Sequence, residues 1–378
     1  MSYFLVIRMQ FLSSYIDSLK FLSEKFIKNK QIILVLIDDN TIKKIGDYPF
    51  KRSEYATVLA KILKGKPKVI GIDIFFAGIK DLEDDLKLIE VLDKTNTDIV
   101  LAFYSVEVED LIINKIKAYS NRFYSYKDIS AGNVEIFEAG DLRITKISAI
   151  PFIDRRYEKE YLPFPILIAS KYRKADYKQK PLLDRGILVA TIGDIEIPNP
   201  SDMLINYRGG IEAFDTISFE KIAETYPSMF RDKIVLIGAS AESIKDHFVT
   251  PISKKTPGVI IHANIIDTIL NKRFISEVDL YSQVAITFLI CFAVSMLFVS
   301  VRPIISLLVS VSVLIASKIV VDFVFIKYRL YFLYSPLFFS VIFSYFGIVI
   351  LSRRLGKHER SEAEKGTRSR KGDRLLLM

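Results

Sequence analysis

Apolar residues are distributed along this chain in two ways. Up to about residue 280 they come in short runs separated by charge; beyond it they form three long runs. Residues 32–37 are continuously apolar and mostly β-branched, and Asp38 and Asp39 follow them. A run without polar alternation predicts a strand covered on both faces, as in a parallel sheet. Residues 53–63 read as a helix with Ser53 at its N-cap. Residues 68–72 predict a second buried strand, ending at Asp73. A helix over 82–92 and a strand over 98–102 follow. Strands alternating with helices at this spacing define βαβ units, a parallel sheet and right-handed crossovers.

From about 106 to 205 the runs are shorter and alternate, as at 134–137 and 187–192, with Gly, Pro and Asn between them. This predicts an irregular insertion with antiparallel strands. The αβ pattern then resumes with a strand over 234–237, a turn at 238–240 and a helix over 258–270. At the N-terminus Leu12, Tyr15, Ile16, Leu19, Leu22 and Phe26 keep helical spacing, so residues 1–30 read as an amphipathic helix. The expected fold is therefore α/β: a mostly parallel sheet with flanking helices and an antiparallel insertion, over residues 31–276.

The three long runs cover about 284–301, 304–326 and 330–351. Each is close to the roughly twenty residues that cross a bilayer, so a three-helix transmembrane segment is expected at 281–351. Arg302 and Pro303 make the first two an antiparallel hairpin. Tyr328, Tyr331 and Tyr334 suit an interfacial belt. Lys318 and Asp322 lie four apart in the second run, on one helical face. Charges in a bilayer are costly and seek partners. This pair either neutralises itself or forms a polar contact that couples helix packing to signalling.

Charge changes the picture at one end only. The 378 residues carry a net charge of +9 and a mean hydropathy of +0.27. Between residues 353 and 374 there are nine Lys or Arg against four Asp or Glu. A basic cluster beside a membrane helix marks the cytoplasmic side or contacts anionic lipid, so the lipid bilayer, not nucleic acid, is the implied partner. Residues 352–378 then read as a disordered cytoplasmic tail. Three crossings of an inner membrane put residues 1–280 outside the cytoplasm. The start of the chain is too short an apolar run for a signal-peptide core. Either an anchor helix precedes it, which the charge rule favours, or the domain stays in the cytoplasm. Cys291 is the only cysteine, so no disulfide within the chain is available. The histidines lack ligand spacing; no metal and no cofactor is expected.

In open parallel sheets ligands collect beyond the carboxyl ends of the strands. Asp38, Asp39, Asp73 and the turn holding Ser240 occupy such ends. Asp246, His262 and Asn264 follow closely in sequence, and Arg208 lies in the segment before. These eight are the candidate ligand-binding residues, expected to share one cleft, although each carboxylate could equally cap a helix. Residues 238–242 lack the second glycine of a nucleophile elbow, so no catalytic residue is assigned.

The motifs Ile37-Asp38-Asp39, residues 45–52 with Tyr48-Pro49-Phe50, residues 68–76, Asn206-Tyr207-Arg208-Gly209, residues 234–241, residues 246–251 and residues 257–264 occur in one order. Together they resemble the second type of CHASE domain (cyclases/histidine kinases associated sensory extracellular), over about residues 12–272. The resemblance implies an extracytoplasmic sensor feeding a cytoplasmic output such as a nucleotide cyclase, a diguanylate cyclase or a kinase. Three features depart from it: no anchor helix before the domain, no tryptophan around Pro49, and no output domain after residue 351. The expectation is a non-enzymatic, bacterial-type integral membrane sensor. It would bind an unknown small-molecule ligand and relay to a separate cytoplasmic signalling enzyme or act as a homo-oligomer. A membrane scaffold without a small ligand, or an envelope hydrolase, are the alternatives.

Overall fold

The structure, a computed structural model, describes residues 28–46, 48–76, 81–103, 129–133, 146–154, 159–182, 187–300 and 302–350. The expectations for residues 12–26, 134–137 and 352–378 lie outside these. The chain divides into two compact units, one ending at Ser276 and one running on from Glu277.

In the first unit β1 (Asn29–Ile37) starts before the apolar run, because the Asn29 carboxamide oxygen accepts the Gln31 and Ile32 amides at 2.6 and 3.1 Å. A short helix α1 (Asp39–Ile45) follows, then α2 (Arg52–Leu63), β2 (Val69–Asp73), α3 (Leu82–Asp93) and β3 (Asp98–Phe103). The expected cap of α2 is corrected: the helix begins one residue earlier, and Lys51 takes the cap position without a side-chain bond. Arg52 is instead buried against Asp85 of α3 as an ion pair.

Next come β4 (Ile129–Asn133), β5 (Lys146–Ile147), the hairpin β6 (Phe152–Asp154) and β7 (Lys159–Tyr161), and α4 (Phe164–Arg173). Strands β8 (Tyr177–Leu182), β9 (Ile187–Ile192) and β10 (Ile195–Ile197) form an antiparallel sheet, and β11 (Met203–Leu204) pairs antiparallel with β5. The insertion is thus antiparallel with one correction: β4 lies beside β3 in parallel and extends the main sheet. The pattern closes with β12 (Phe214–Ser218), β13 (Ile234–Ala239), the short pair β14 (His247–Phe248) and β15 (Thr256–Pro257), and α5 (Gly258–Leu270).

Among the described residues the main sheet has six strands, all parallel, in the order β12-β1-β13-β2-β3-β4. Its central strands are buried on both faces, which is why they read as unbroken apolar runs. One face packs on α2 and α3 through Tyr55, Leu59, Ile62, Leu88 and Leu92. The other packs on α4 and α5 through Phe164, Ile168, Val259, Ile260, Ala263 and Ile266. The far side of α5, with Ile261, Ile265 and Ile269, is covered by Ala190, Ile192, Ile195 and Ile197 of the small sheet. Only Leu270 of α5 escapes full burial.

The second unit contains α6 (Leu280–Ser300), α7 (Pro303–Tyr328) and α8 (Tyr334–Ile350). Among the described residues two stretches are long and apolar enough to cross a bilayer: Leu280–Phe298, of mean hydropathy 2.0, and Ile304–Tyr328, of 2.5. α6 starts earlier than the apolar run because Asp279 accepts the Ser282 amide at 3.0 Å. The third apolar helix is shorter than expected. Leu330 and Tyr331 are extended, the Tyr331 carbonyl accepts the Val278 amide at 3.0 Å, and helix resumes only at Tyr334. The Tyr334 hydroxyl donates to the Leu314 carbonyl at 2.6 Å. Tyr334, Leu337 and Val341 pack with Ile290, Cys291, Val313 and Leu314. Lys318 and Asp322 are ion-paired with each other on α7.

Candidate functional site

The carboxyl ends of β1, β13 and β2 lie side by side, with Leu36 opposite Gly238 and Gly238 opposite Asp73. The residues expected there do not form one cleft; they separate into three groups.

Asp38 belongs to the backbone. Its Oδ1 accepts the Thr41 amide and hydroxyl, both at 2.8 Å, and the Ser218 hydroxyl at 3.0 Å. It is the N-cap of α1. Burial opposes ionisation of this carboxyl, but the bonds from Thr41 and Ser218 outweigh it and hold it below the usual carboxylate range. Asp39 is exposed in the first turn. The Ser240 amide donates to the Ile37 carbonyl at 2.9 Å. Among the described residues no hydrogen bond joins Ser240 to His262, so the pair does not form a nucleophile and base.

Asp73, Asp246 and His262 form the second group. Asp73 ends β2, and His262 is on the second turn of α5 with its side chain 2% exposed. The His262 Nε2 lies 3.9 Å from Asp73 Oδ2, too far for a direct hydrogen bond. The Phe164 ring stands edge-on to the imidazole at 5.1 Å. The Nδ1 of His262 is buried without a hydrogen-bond partner. Asp246 enters from the loop before α5. Its carbonyl accepts the Gly258 amide at 3.2 Å, and a Cβ on Gly258 would sit 2.8 Å from its Oδ2. Glycine at this first helical position is what admits the carboxyl to the helix N-terminus.

Burial drives all three groups toward neutrality. It raises Asp73 well above the usual carboxylate value, with the neighbouring Asp246 adding to the rise. It raises Asp246 too, partly offset by His247 and the Gly258 amide. It lowers His262 to about 3. The cluster therefore offers neutral donors and acceptors at the carboxyl edge of the sheet. Among the described residues no group of three or more His, Cys, Asp or Glu is placed to hold a metal ion.

The third group lies around the C-terminal half of α5. Asn264 Oδ1 accepts the Arg208 amide at 2.7 Å, and its Nδ2 donates to the Gly209 and Ile260 carbonyls at 3.0 and 2.8 Å. Arg208 grips Asp267 with Nε and Nη2, both at 3.0 Å. Asp267 is wholly buried and also accepts from Arg273 at 2.7 Å, Asn271 at 2.8 Å and Asn29 at 2.5 Å. Because Asn29 opens β1, this network sits at the amino edge of the sheet, opposite the Asp73 cluster. Sequence reasoning passed over Asp267, Arg273 and Asn29. The available signal was a lone carboxylate in the otherwise apolar stretch 258–270, since a buried charge requires a partner.

Two concave surfaces lie apart from these groups. One, of about 670 Å³, is bordered by Asp98, Glu160, Lys171, Lys174, Tyr177 and Gln179. The other, of about 770 Å³, lies between α1, α2 and the turn at Phe219–Glu224. Neither holds a candidate residue.

Fold and site together describe an α/β domain with a buried polar cluster at the carboxyl edge of its sheet, in a chain that continues into apolar helices. A family model, the CHASE2 domain, matches residues 3–300, and the chain belongs to that family of extracellular sensory domains. The match runs on through the whole of α6. No curated protein and no solved structure matches the chain.

Proposed function

We propose that this protein is the signal-input component of an integral membrane sensor. Residues 1–280 lie outside the cytoplasm of an inner membrane; α6, α7 and α8 cross it, and the basic tail is cytoplasmic. A small polar ligand is taken up at the carboxyl edge of the sheet, around Asp73, Asp246 and His262. Its binding biases the domain between two arrangements, and the membrane helices relay the change to a separate signalling enzyme or to a second copy of the chain. The observation that carries this reading is the family match continuing without interruption from the α/β domain into the first apolar helix. The packing of α8 against α6 and α7 supports the third crossing. The buried, unpartnered Nδ1 of His262 supports the choice of cluster. No cofactor, metal, nucleic acid or catalytic step enters the proposal.

A ligand that prefers one arrangement must raise the stability of that arrangement. The test is thermal unfolding of the detergent-solubilised chain against a panel of amino acids, sugars, nucleotides, polyamines and short carboxylic acids. At least one compound is expected to raise the midpoint of the parent protein and to lose that effect in Asp73→Asn. Identical midpoints across the panel would count against a small ligand and favour a scaffold.

A further inference from the structure

The helix α5 meets both polar groups of the domain. At its first turns stand Gly258, beneath Asp246, and His262, facing Asp73. Near its other end stands Asp267, whose fully buried carboxylate takes the five hydrogen bonds described above, more than its roughly four lone-pair sites fill singly. Arg273, one of the donors, belongs to the segment that leads to Ser276, where the first unit ends. Arg273 is held at three further points. Its amide donates to the Thr268 carbonyl at 2.8 Å. Its Nη2 donates to Asn206 Oδ1 at 3.3 Å, its carbonyl accepts Asn206 Nδ2 at 2.8 Å, and Asn206 is tied back to Thr268 at 3.2 Å. Between the two ends α5 is packed on every side by the main sheet, α4 and the small sheet. An element enclosed in this way shifts as a body, because close-packed surroundings hold a few discrete arrangements rather than a continuum.

We infer that α5 is the transmission rod of the domain and that Asp267 and Arg273 form the latch that passes its position to the segment entering the membrane. The Asp73 cluster is the input end; Arg273 is a positioning residue at the output end. A change at Asp73 or His262 alters where α5 rests, and the Asp267–Arg273 pair carries that change into residues 271–276. This rests on the sensory reading above, but it concerns the route and needs no ligand.

The test is a coupling measurement on the full chain in detergent, using hydrogen exchange of a peptide covering residues 271–276, with a β3 peptide as the control for folding. The variants are Asp73→Asn, Arg273→Gln and both together. Arg273→Gln is expected to raise exchange in 271–276 by about fivefold or more, and to leave β3 protected. Asp73→Asn is expected to change exchange in the same peptide from the opposite edge of the sheet, and that change should vanish in the double variant. Additive effects, or no response of 271–276 to Asp73→Asn, would overturn the latch. Should Arg273→Gln expose β3, Arg273→Lys, which keeps the charge but not the two-nitrogen grip, is paired with Asp73→Asn and judged by the same criterion. A coupled latch with a silent ligand panel would keep this route and remove the ligand; an uncoupled latch with a responsive panel would do the reverse.

Discussion

His262 and Asp73 are buried side by side in neutral form, and their neutrality has opposite consequences for stability. Above about pH 4 the unfolded chain loses its aspartate protons. Folded Asp73 keeps its proton, and Asp246 is shifted the same way. The unfolded state then binds fewer protons, so these two groups lower stability as pH rises. For His262 the window runs from about 3 to 6.5. There the unfolded imidazole is protonated and the folded one is not, so stability rises with pH. Each proton contributes a slope of at most about 1.4 kcal/mol per pH unit. Over about pH 4 to 6.5, His262→Phe should make stability fall more steeply with rising pH than in the parent. Asp73→Asn should tilt the curve the other way. Denaturant unfolding at several pH values reads both slopes, and parallel curves for all three proteins would mean that these groups are not buried as a neutral pair. Sequence made both residues visible, because an acid at a strand end and a histidine in an apolar helix stand out. Capping of α1 was one of the two roles open to Asp38 in the sequence, but the additional bond from Ser218, far along the chain, was not visible.

At the scale of elements, the unbroken runs in β1, β2, β3 and β13 announced a parallel sheet, because covering both faces removes the need for polar alternation. The helix over 258–270 was legible to the residue for a related reason: it is mostly apolar, buried at every position but Leu270, and ends where a run of polar and charged residues begins. The parallel pairing of β4 was not legible, as Ile129–Asn133 includes Gly and Asn and carries little strand propensity. Nor was the late start of α8, which follows from a backbone bond between Val278 and Tyr331. The fit of α5 on β13 depends on one missing side chain. A Cβ on Gly238 would lie 2.6 Å from Val259 Cβ and 2.8 Å from its Cγ2. Both neighbours are fixed, one to the strand and one to the first turn of the helix, so Gly238→Ala must push α5 away from the sheet. Overpacking of this kind costs about 1–3 kcal/mol. Chemical denaturation should show that loss, with Asp246 and His262 disturbed along with it. A stability equal to that of the parent would place α5 further from β13.

At the scale of the whole chain, two segments among the described residues, of mean hydropathy 2.0 and 2.5, are long and apolar enough to cross a bilayer. An odd number of crossings separates the domain from the tail; an even number would place them together. The proposed third crossing can therefore be tested by location alone. A reporter active only outside the cytoplasm, fused after Ser276, should be active. The same reporter fused after Ile350 should be silent, and a cytosolic reporter should give the inverse pattern. Activity of one reporter at both positions would leave α8 on a single side of the bilayer. Sequence located the apolar helices through length and hydropathy, which need no tertiary information. It did not locate the Asp267 network, because the partners of that carboxylate come from residues 29, 208, 271 and 273, brought together only by the folded sheet.

The chain has a single thiol, and that thiol, Cys291, is packed among the apolar helices beside α8. Water-soluble maleimides meet no other sulfhydryl on this molecule. A cysteine placed at any exposed position of the α/β domain would thus be the sole site for a fluorophore or spin label facing solvent, without first stripping the native sequence of competing groups.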